Sequence, residues 1–205
     1  MKKTITFICV LTLASTCFCQ TNVDEVDKLS GPRFGVSYIG TGSTAQVLNR
    51  VNTMDSLGYA NYSGSANTIT TQYGWQWETR FADTGGPVVG LVEWVALVAG
   101  MEKGLFLPSF STLVGIRSDN GLEFATGPNL SGSGLGFVFA LGYNYKKGDL
   151  NLPINIAFVP NKMGPSSNSA LSDLLNSSEY FETIKEENTG YRITVSVGFN
   201  LKGSN

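Results

Sequence analysis

The sequence has no histidine, and its three cysteines, Cys9, Cys17 and Cys19, all lie close to the N-terminus. Without histidine, the chain lacks both the commonest general base and the commonest metal ligand. If the N-terminal segment is removed, no cysteine remains for a disulfide or a thiolate metal site. The composition therefore predicts a protein that is not an enzyme and that uses no cofactor or metal.

Charged residues and long apolar runs are also scarce. Charged side chains make up 15% of the 205 residues, with 14 basic against 16 acidic residues. The basic residues form no cluster of the kind that binds nucleic acid. After the N-terminal segment there is no run of about 18 apolar residues, which a membrane-spanning helix would need. A membrane form of this chain would have to be a closed β-barrel, because only helices and closed barrels satisfy their backbone hydrogen bonds in lipid.

The N-terminal segment has the features of a secretory signal. Two lysines at positions 2 and 3 lead into an apolar run, and small residues follow up to Cys19. This pattern is typical of a signal peptide, here cleaved before Gln20. A lipoprotein acylated at Cys17 or Cys19 is the alternative, but the usual small residue before the cysteine is missing. The predicted organisation is a signal peptide at 1–19, a periplasmic lead at 20–30, a β-barrel at 31–201 and a C-terminal tail at 202–205.

Eight segments after the lead alternate between apolar and polar residues with a period of two, which indicates β-strands. The third is apolar on both faces apart from Glu93, so a short buried helix is the alternative there. Its valines and flanking glycines favour a strand. The eight segments are approximately Arg33–Gly40, Thr70–Ala82, Val88–Gly100, Phe106–Arg117, Gly121–Asn129, Gly134–Tyr145, Leu150–Val159 and Tyr191–Leu201.

The connections between these segments differ in length in a regular way. In outer-membrane barrels, short periplasmic turns alternate with longer external loops. The two long connections, at about 41–69 and 160–190, are both odd-numbered and are therefore predicted to lie at the same, external end. Each is expected to hold a short helix, the second at about 170–185. The first would begin at Ser43 and carry Val47, Leu48, Val51 and Met54.

The alternation also predicts which face of each strand points outward. In the second strand, "QYGWQWETRF" (72–81), aromatic residues alternate with polar and charged ones. The interior of an eight-stranded barrel is just wide enough to be filled by side chains, and a soluble surface would be about a quarter to a third charged. We therefore expect the large apolar row to face outward towards lipid. The charged residues of inward parity are expected to form a structural network in the lumen, since buried charges must pair to offset desolvation. They are Arg33, Glu78, Arg80, Glu93, Arg117, Glu123 and Arg192.

Four stretches give the chain a resemblance to a known family: "GPRFGVSYIG", "QYGWQWETRF", "GIRSDNGLEFATGPNLS" and "GYRITVSVGFNL". From about residue 31 to 201 the sequence resembles the small eight-stranded outer-membrane barrels of the outer-membrane protein A type, particularly those of Bacteroidota-like secretomes. The resemblance implies an antiparallel up-and-down transmembrane barrel, outer-membrane lipid as its surroundings and the barrel-insertion machinery as a partner during assembly. Family barrels usually end on an aromatic residue, whereas here Phe199 and Leu201 are followed by four further residues.

The sequence therefore favours an integral outer-membrane barrel with a packed lumen. Its role would be structural, or it would contact a protein partner through its external loops. One alternative is a small pore or a barrel that binds a small apolar ligand. A lipid-active enzyme is a further alternative, which the absence of histidine disfavours.

Overall fold

The computed structural model describes residues 28–53, 67–83, 87–165 and 186–201, and these residues form a closed antiparallel β-barrel. The predicted signal peptide, the tail at 202–205 and the predicted helix at 170–185 lie outside the described residues. Most of the strand bounds agree with the sequence prediction to within two or three residues. The elements are β1 (Gly31–Ile39), α1 (Ser43–Thr53), β2 (Thr68–Asp83), β3 (Val88–Ala99), a 3₁₀ helix (Met101–Lys103), β4 (Leu107–Ser118), β5 (Leu122–Ser131), β6 (Gly134–Lys147), β7 (Leu150–Val159), β8 (Met163–Pro165), β9 (Glu186–Asn188), β10 (Arg192–Gly198) and β11 (Asn200–Leu201).

The barrel wall has eight strands, because β10 and β11 together form the last one. Each strand pairs with the next along the chain, and β10 pairs with both β1 and β7 to close the sheet. The segment at 88–98 is a strand and not a helix. The eight-stranded up-and-down fold expected from the sequence is confirmed.

The two ends of the barrel differ in the length of their connections. The first wall strand begins and the last wall strand finishes at the same end of the barrel, which we call the terminus end. The turns at 119–121 and 148–149 also lie there. The long connections after β1 and β7 lie at the other end, the loop end, as their odd numbering predicts. The short β8–β9 hairpin forms part of the second long connection.

Helix α1 confirms the prediction of a helix starting at Ser43, and it covers part of the loop end. Gln46 N donates to Gly42 O in its first turn, at 3.0 Å. Ala45 and Leu48, three positions apart, are both fully buried against Ile39. Of the apolar residues expected on this helix, Met54 lies outside the described part of the chain.

The wall places its large apolar side chains outside and its small and polar side chains inside. The four aromatic residues of "QYGWQWETRF" are between 42% and 47% exposed, whereas Gln72 and Gln76 are each 2% exposed. The apolar part of the lumen includes a small cluster of Leu113, Ala125, Val138 and Val159, and Val89 and Leu91 on β3 are also buried. Among the described residues, no helix is long and apolar enough to cross a membrane.

Candidate functional site

A buried group of charges, which we call the charge cluster, fills the lumen near the terminus end. Its centre is Arg117 on β4, whose side chain is 2% exposed. The guanidinium makes a two-point contact with Glu78 on β2, from Nη1 to Oε1 at 2.8 Å and from Nη2 to Oε2 at 2.5 Å. Its Nε donates to Glu123 Oε2 on β5 at 2.6 Å. Charge-assisted, two-point contacts of this type are among the strongest hydrogen bonds in proteins.

Strand register brings the cluster together. Glu78 lies directly opposite Glu93 across the β2–β3 pair, and Arg117 lies opposite Glu123 across the β4–β5 pair. Two like charges directly opposite each other destabilise a sheet. Arg117 offsets this repulsion, because its Nη2 also lies 3.5 Å from Glu93 Oε1. Inward-facing side chains of β2, β3 and β5 therefore all contact one guanidinium, that of Arg117 on β4.

A second guanidinium extends the network towards the first strand. Arg33 on β1 donates from Nε to Gln76 Oε1 at 2.9 Å, and Gln76 donates from Nε2 to Glu93 Oε1 at 2.9 Å. Gln76 therefore bridges a buried arginine and a buried glutamate. It shares the inward parity of Glu78, so the alternation could have placed it in the predicted network.

The segment that precedes β1 closes the terminus end over this cluster. Leu29 is 1% exposed; its carbonyl oxygen accepts a bond from Arg33 Nη2 at 2.9 Å, and its N–H donates to Glu78 Oε2 at 3.3 Å. Ser30 Oγ accepts from the N–H of Glu78 at 3.0 Å. Asn200 on the last strand donates to the carbonyl oxygen of Lys28 at 2.9 Å. These contacts involve no periodic pattern, and sequence reasoning did not find them.

The structure brings five of the seven predicted lumen charges into one connected group: Arg33, Glu78, Glu93, Arg117 and Glu123. Arg80 lies on the same face, half-buried and closer to the terminus end. Arg192 is apart from the group, because it begins β10 at the loop end. Its partner is an amide and not a carboxylate, since Nη2 donates to Asn129 Oδ1 at 3.2 Å.

The three carboxylates of the cluster also have the spacing of a metal-binding group. Glu78, Glu93 and Glu123 each offer an oxygen atom within 4.8 Å of the others. The guanidinium of Arg117 already contacts all three. The positive charge that a cation would supply is therefore supplied by a side chain of the chain itself.

A cavity separates the charge cluster from the loop end. Its volume is about 70 Å³, which is room for several waters. The lining combines small apolar side chains with polar groups, including Gln72, Ser111, Asn155 and Thr194. The Oε1 atom of Gln72 is buried and has no hydrogen-bond partner among the described residues. The cavity is thus polar enough to hold water.

The 3₁₀ helix at the loop end forms a further polar contact with the wall. Glu102 accepts hydrogen bonds from Thr70 Oγ1 and Thr71 Oγ1, both at 2.6 Å, and from the N–H of Thr71 at 3.1 Å. Partial burial raises the pKa of Glu102, but these hydrogen bonds outweigh it and lower the pKa to about 2. Lys103 donates to Thr68 Oγ1 at 2.6 Å. Together the contacts hold the β3–β4 loop against β2.

In comparisons with protein-family models, with curated proteins and with solved structures, nothing matched this chain.

Proposed function

We propose that this chain is an integral outer-membrane β-barrel with a closed, packed lumen. Outer-membrane lipid is its surroundings, and the barrel-insertion machinery is its partner during assembly. The role of the barrel is structural, or it presents the loop end to a protein partner.

The observation that carries this proposal is the distribution of apolar side chains. Among the described residues, 31 large apolar or aromatic side chains are exposed, whereas 11 hydrophobic residues are buried. Most of the exposed side chains follow the outward faces of the wall strands, and on β6 they run from Leu135 to Tyr145. A soluble monomer rarely exposes a continuous apolar patch larger than a few hundred Å². Lipid is a solvent in which such a surface is stable.

The height of the apolar band also suits a bilayer. The outward residues of β6 from Leu135 to Tyr145 span ten residue steps, or about 34 Å along the strand at about 3.4 Å per residue. At the strand tilt of about 40° that is typical of barrels, this corresponds to about 26 Å along the barrel axis. The apolar band of outer-membrane barrels is about 25 Å tall.

The charge cluster supports a closed lumen and not a pore. The side chains of Arg117, Glu78 and Glu93 are at most 2% exposed, because their ion pairs fill the lumen near the terminus end. The cavity above them is small, and polar groups such as Gln72 and Asn155 lie among the apolar side chains of its lining. A cavity of this size does not favour an apolar ligand in the lumen.

Cell fractionation combined with gel migration tests the proposal. The chain expressed with its N-terminal segment should be recovered in the outer-membrane fraction. It should also migrate differently in unheated and boiled samples, because folded barrels resist unfolding by detergent at room temperature. Recovery of folded chain in the soluble periplasm would refute the assignment of the outer face to lipid.

A further inference from the structure

A second recess, which we call the outer recess, lies in the lumen at the loop end. It is separate from the charge cluster, and its lining includes Lys162, Arg192, Asn129, Ser131, Ser133 and Thr189. Its volume is about 20 Å³, which is room for one or two waters. No carboxylate is among the described residues that line it. The polar part of the lining therefore consists of two cations, hydroxyl groups and an amide, and Ile39 and Val159 form its apolar part.

Lys162 brings an unsatisfied ammonium group to this recess. Its Nζ is buried and has no hydrogen-bond partner among the described residues. It lies over the backbone of β6, 3.3 Å from the position that a Cβ on Gly136 would take. Burial, together with the charge of Arg192, lowers the pKa of Lys162. A buried ammonium with three unused donors is costly unless a ligand accepts from it.

The main chain holds Lys162 in this place. Thr189, which is 3% exposed, donates to the carbonyl oxygen of Lys162 from its N–H at 2.9 Å and from Oγ1 at 3.0 Å. These bonds lie beside the β8–β9 pairing. The position of the ammonium group is thus set by the hairpin and by the missing side chain of Gly136.

Arg192 supplies the second cation in a fixed orientation. It begins β10 and is paired with Ile39 on one side and Val159 on the other. Asn129 donates from Nδ2 to Ser111 Oγ at 2.9 Å, and this orients its Oδ1 towards Arg192 Nη2, 3.2 Å away. Among the described residues this is the one hydrogen bond that the guanidinium makes. Its other donors remain available to a ligand.

Hydroxyl groups complete the lining. Ser131 and Ser133 lie at the β5–β6 turn, with their Oγ atoms 3.0 Å apart. A hydroxyl group can donate to an anion while it accepts from its neighbour. The hydroxyl that accepts within this pair keeps its own proton for a ligand. Two cations and one donating hydroxyl group around a space of this size match the oxygens of a single carboxylate or phosphate group.

We propose that the outer recess binds one oxyanion group, a carboxylate or a phosphate, between Lys162 and Arg192. The site is formed by the lumen and does not depend on whether the wall faces lipid. Three sources could supply such a group: free phosphate, the phosphate of a lipid, and a carboxylate of the chain's own second long loop. That loop contains Glu182, Glu186 and Glu187, whose side chains the structure does not describe.

Calorimetric titration of the full refolded chain, in an uncharged detergent, tests this site with inorganic phosphate as the probe. Phosphate should bind to the native chain, and Lys162→Met and Arg192→Gln should each weaken binding at least tenfold. Lys147→Gln is the matched control, because this exposed lysine lies at the terminus end. It should bind phosphate like the native chain. Equal binding by the native chain and all three variants would overturn the proposal.

A fourth variant keeps both charges and covers the case in which a charge variant does not fold. In Gly136→Ala the added methyl group would lie 3.3 Å from the ammonium of Lys162, which must then shift by a few tenths of an ångström. Phosphate affinity should fall severalfold while the gel migration of the folded barrel is kept. Unchanged affinity in this variant would contradict the assigned position of the ligand.

The source of the oxyanion is distinguished by two further titrations. Tighter binding of a soluble short-chain phosphatidic acid than of inorganic phosphate would identify a lipid phosphate as the ligand. A variant with Glu182, Glu186 and Glu187 all changed to glutamine should bind phosphate more tightly if a loop carboxylate occupies the recess. If neither the native chain nor this variant binds phosphate or phosphatidic acid, the site does not exist.

Discussion

Replacing Arg117 with methionine should be among the most destabilising single changes in the lumen. The substitution keeps much of the side-chain length but removes the guanidinium. It deletes the two-point contact with Glu78 and the bond from Nε to Glu123. Three buried carboxylates then remain, and the nearest other cation of the cluster, Arg33, reaches Glu93 through Gln76 alone.

The expected loss follows from the desolvation of the remaining charges. Removing one partner of a buried ion pair typically costs about 3–5 kcal/mol, because it leaves an uncompensated charge. At about 1.4 kcal/mol per factor of ten, this lowers the folding equilibrium constant roughly 100- to 4000-fold. An exposed ion pair would instead contribute about 0–1 kcal/mol. The two cases therefore differ by an amount that a denaturant titration resolves.

The assay is equilibrium unfolding in urea of the detergent-refolded barrel at neutral pH, with the free energy of unfolding extrapolated to water. Lys147→Met serves as the control, because this lysine is exposed at the rim, and it should change stability by no more than about 0.5 kcal/mol. Arg117→Met combined with Glu78→Gln should recover part of the loss, since one uncompensated carboxylate is gone. The coupling between the two changes measures their interaction. A loss below about 1 kcal/mol in Arg117→Met, or no coupling with Glu78→Gln, would refute a buried charge cluster.

Four further predictions concern the wall, the loop end and the lumen. Phe139→Arg places a charge on the outward face near mid-strand and should block membrane assembly, since such a charge costs about 2–4 kcal/mol at the bilayer midplane. Tyr145→Arg, on the same face near the terminus end, should still assemble. Equal assembly of the two variants would count against a lipid-facing wall. The pKa of Glu102 is lowered to about 2 from 4.5, so its stabilisation of the β3–β4 loop is complete above pH 4.5 and is lost as the pH falls towards 2. The protection factor of the Thr71 amide, which donates to Glu102, should fall over that range after correction for the intrinsic exchange rate, and Glu102→Gln should abolish this pH dependence. Gly127→Ala should destabilise the barrel by about 1–3 kcal/mol in the same unfolding assay, because the new Cβ would lie 2.1 Å from the carbonyl oxygen of Thr112. Gly132→Ala is the control and should be neutral, because its Cβ would meet nothing within 4 Å. Planar-bilayer recordings of the native chain should show no steady conductance at neutral pH, and a steady open level would contradict a closed lumen.

The members of the charge cluster could largely be predicted from the sequence, because alternation along a strand assigns each residue to one face of the wall. Alternation does not show which residues of that face contact each other. Glu78, Glu93, Arg117 and Glu123 were assigned to the lumen from alternation, and all four lie in the cluster. Their pairing depends on register, and shifting one strand against its neighbour would bring different residues together. Arg192 shows the consequence, since it has inward parity but lies at the opposite end of the barrel from the cluster.

The outer recess could not be anticipated from the sequence. Lys162 lies in a long connection, where no periodicity assigns a direction to a side chain. Its position results from its bonds with Thr189 and from the absence of a side chain at Gly136. The closure of the terminus end by Leu29 could not be predicted either, because it depends on contacts between segments that are distant in the sequence.

The sequence by itself determined the eight strands, the face that each strand turns outward and the end at which the long connections lie. These features depend on local alternation and on strand order, and both can be read from the order of residues along the chain. Only the tertiary structure decided which charges meet, how the terminus end is closed and where, among the described residues, two cations lie without a carboxylate partner. Those features depend on the stagger of eight strands around a closed wall, which sets the depth of each side chain in the lumen.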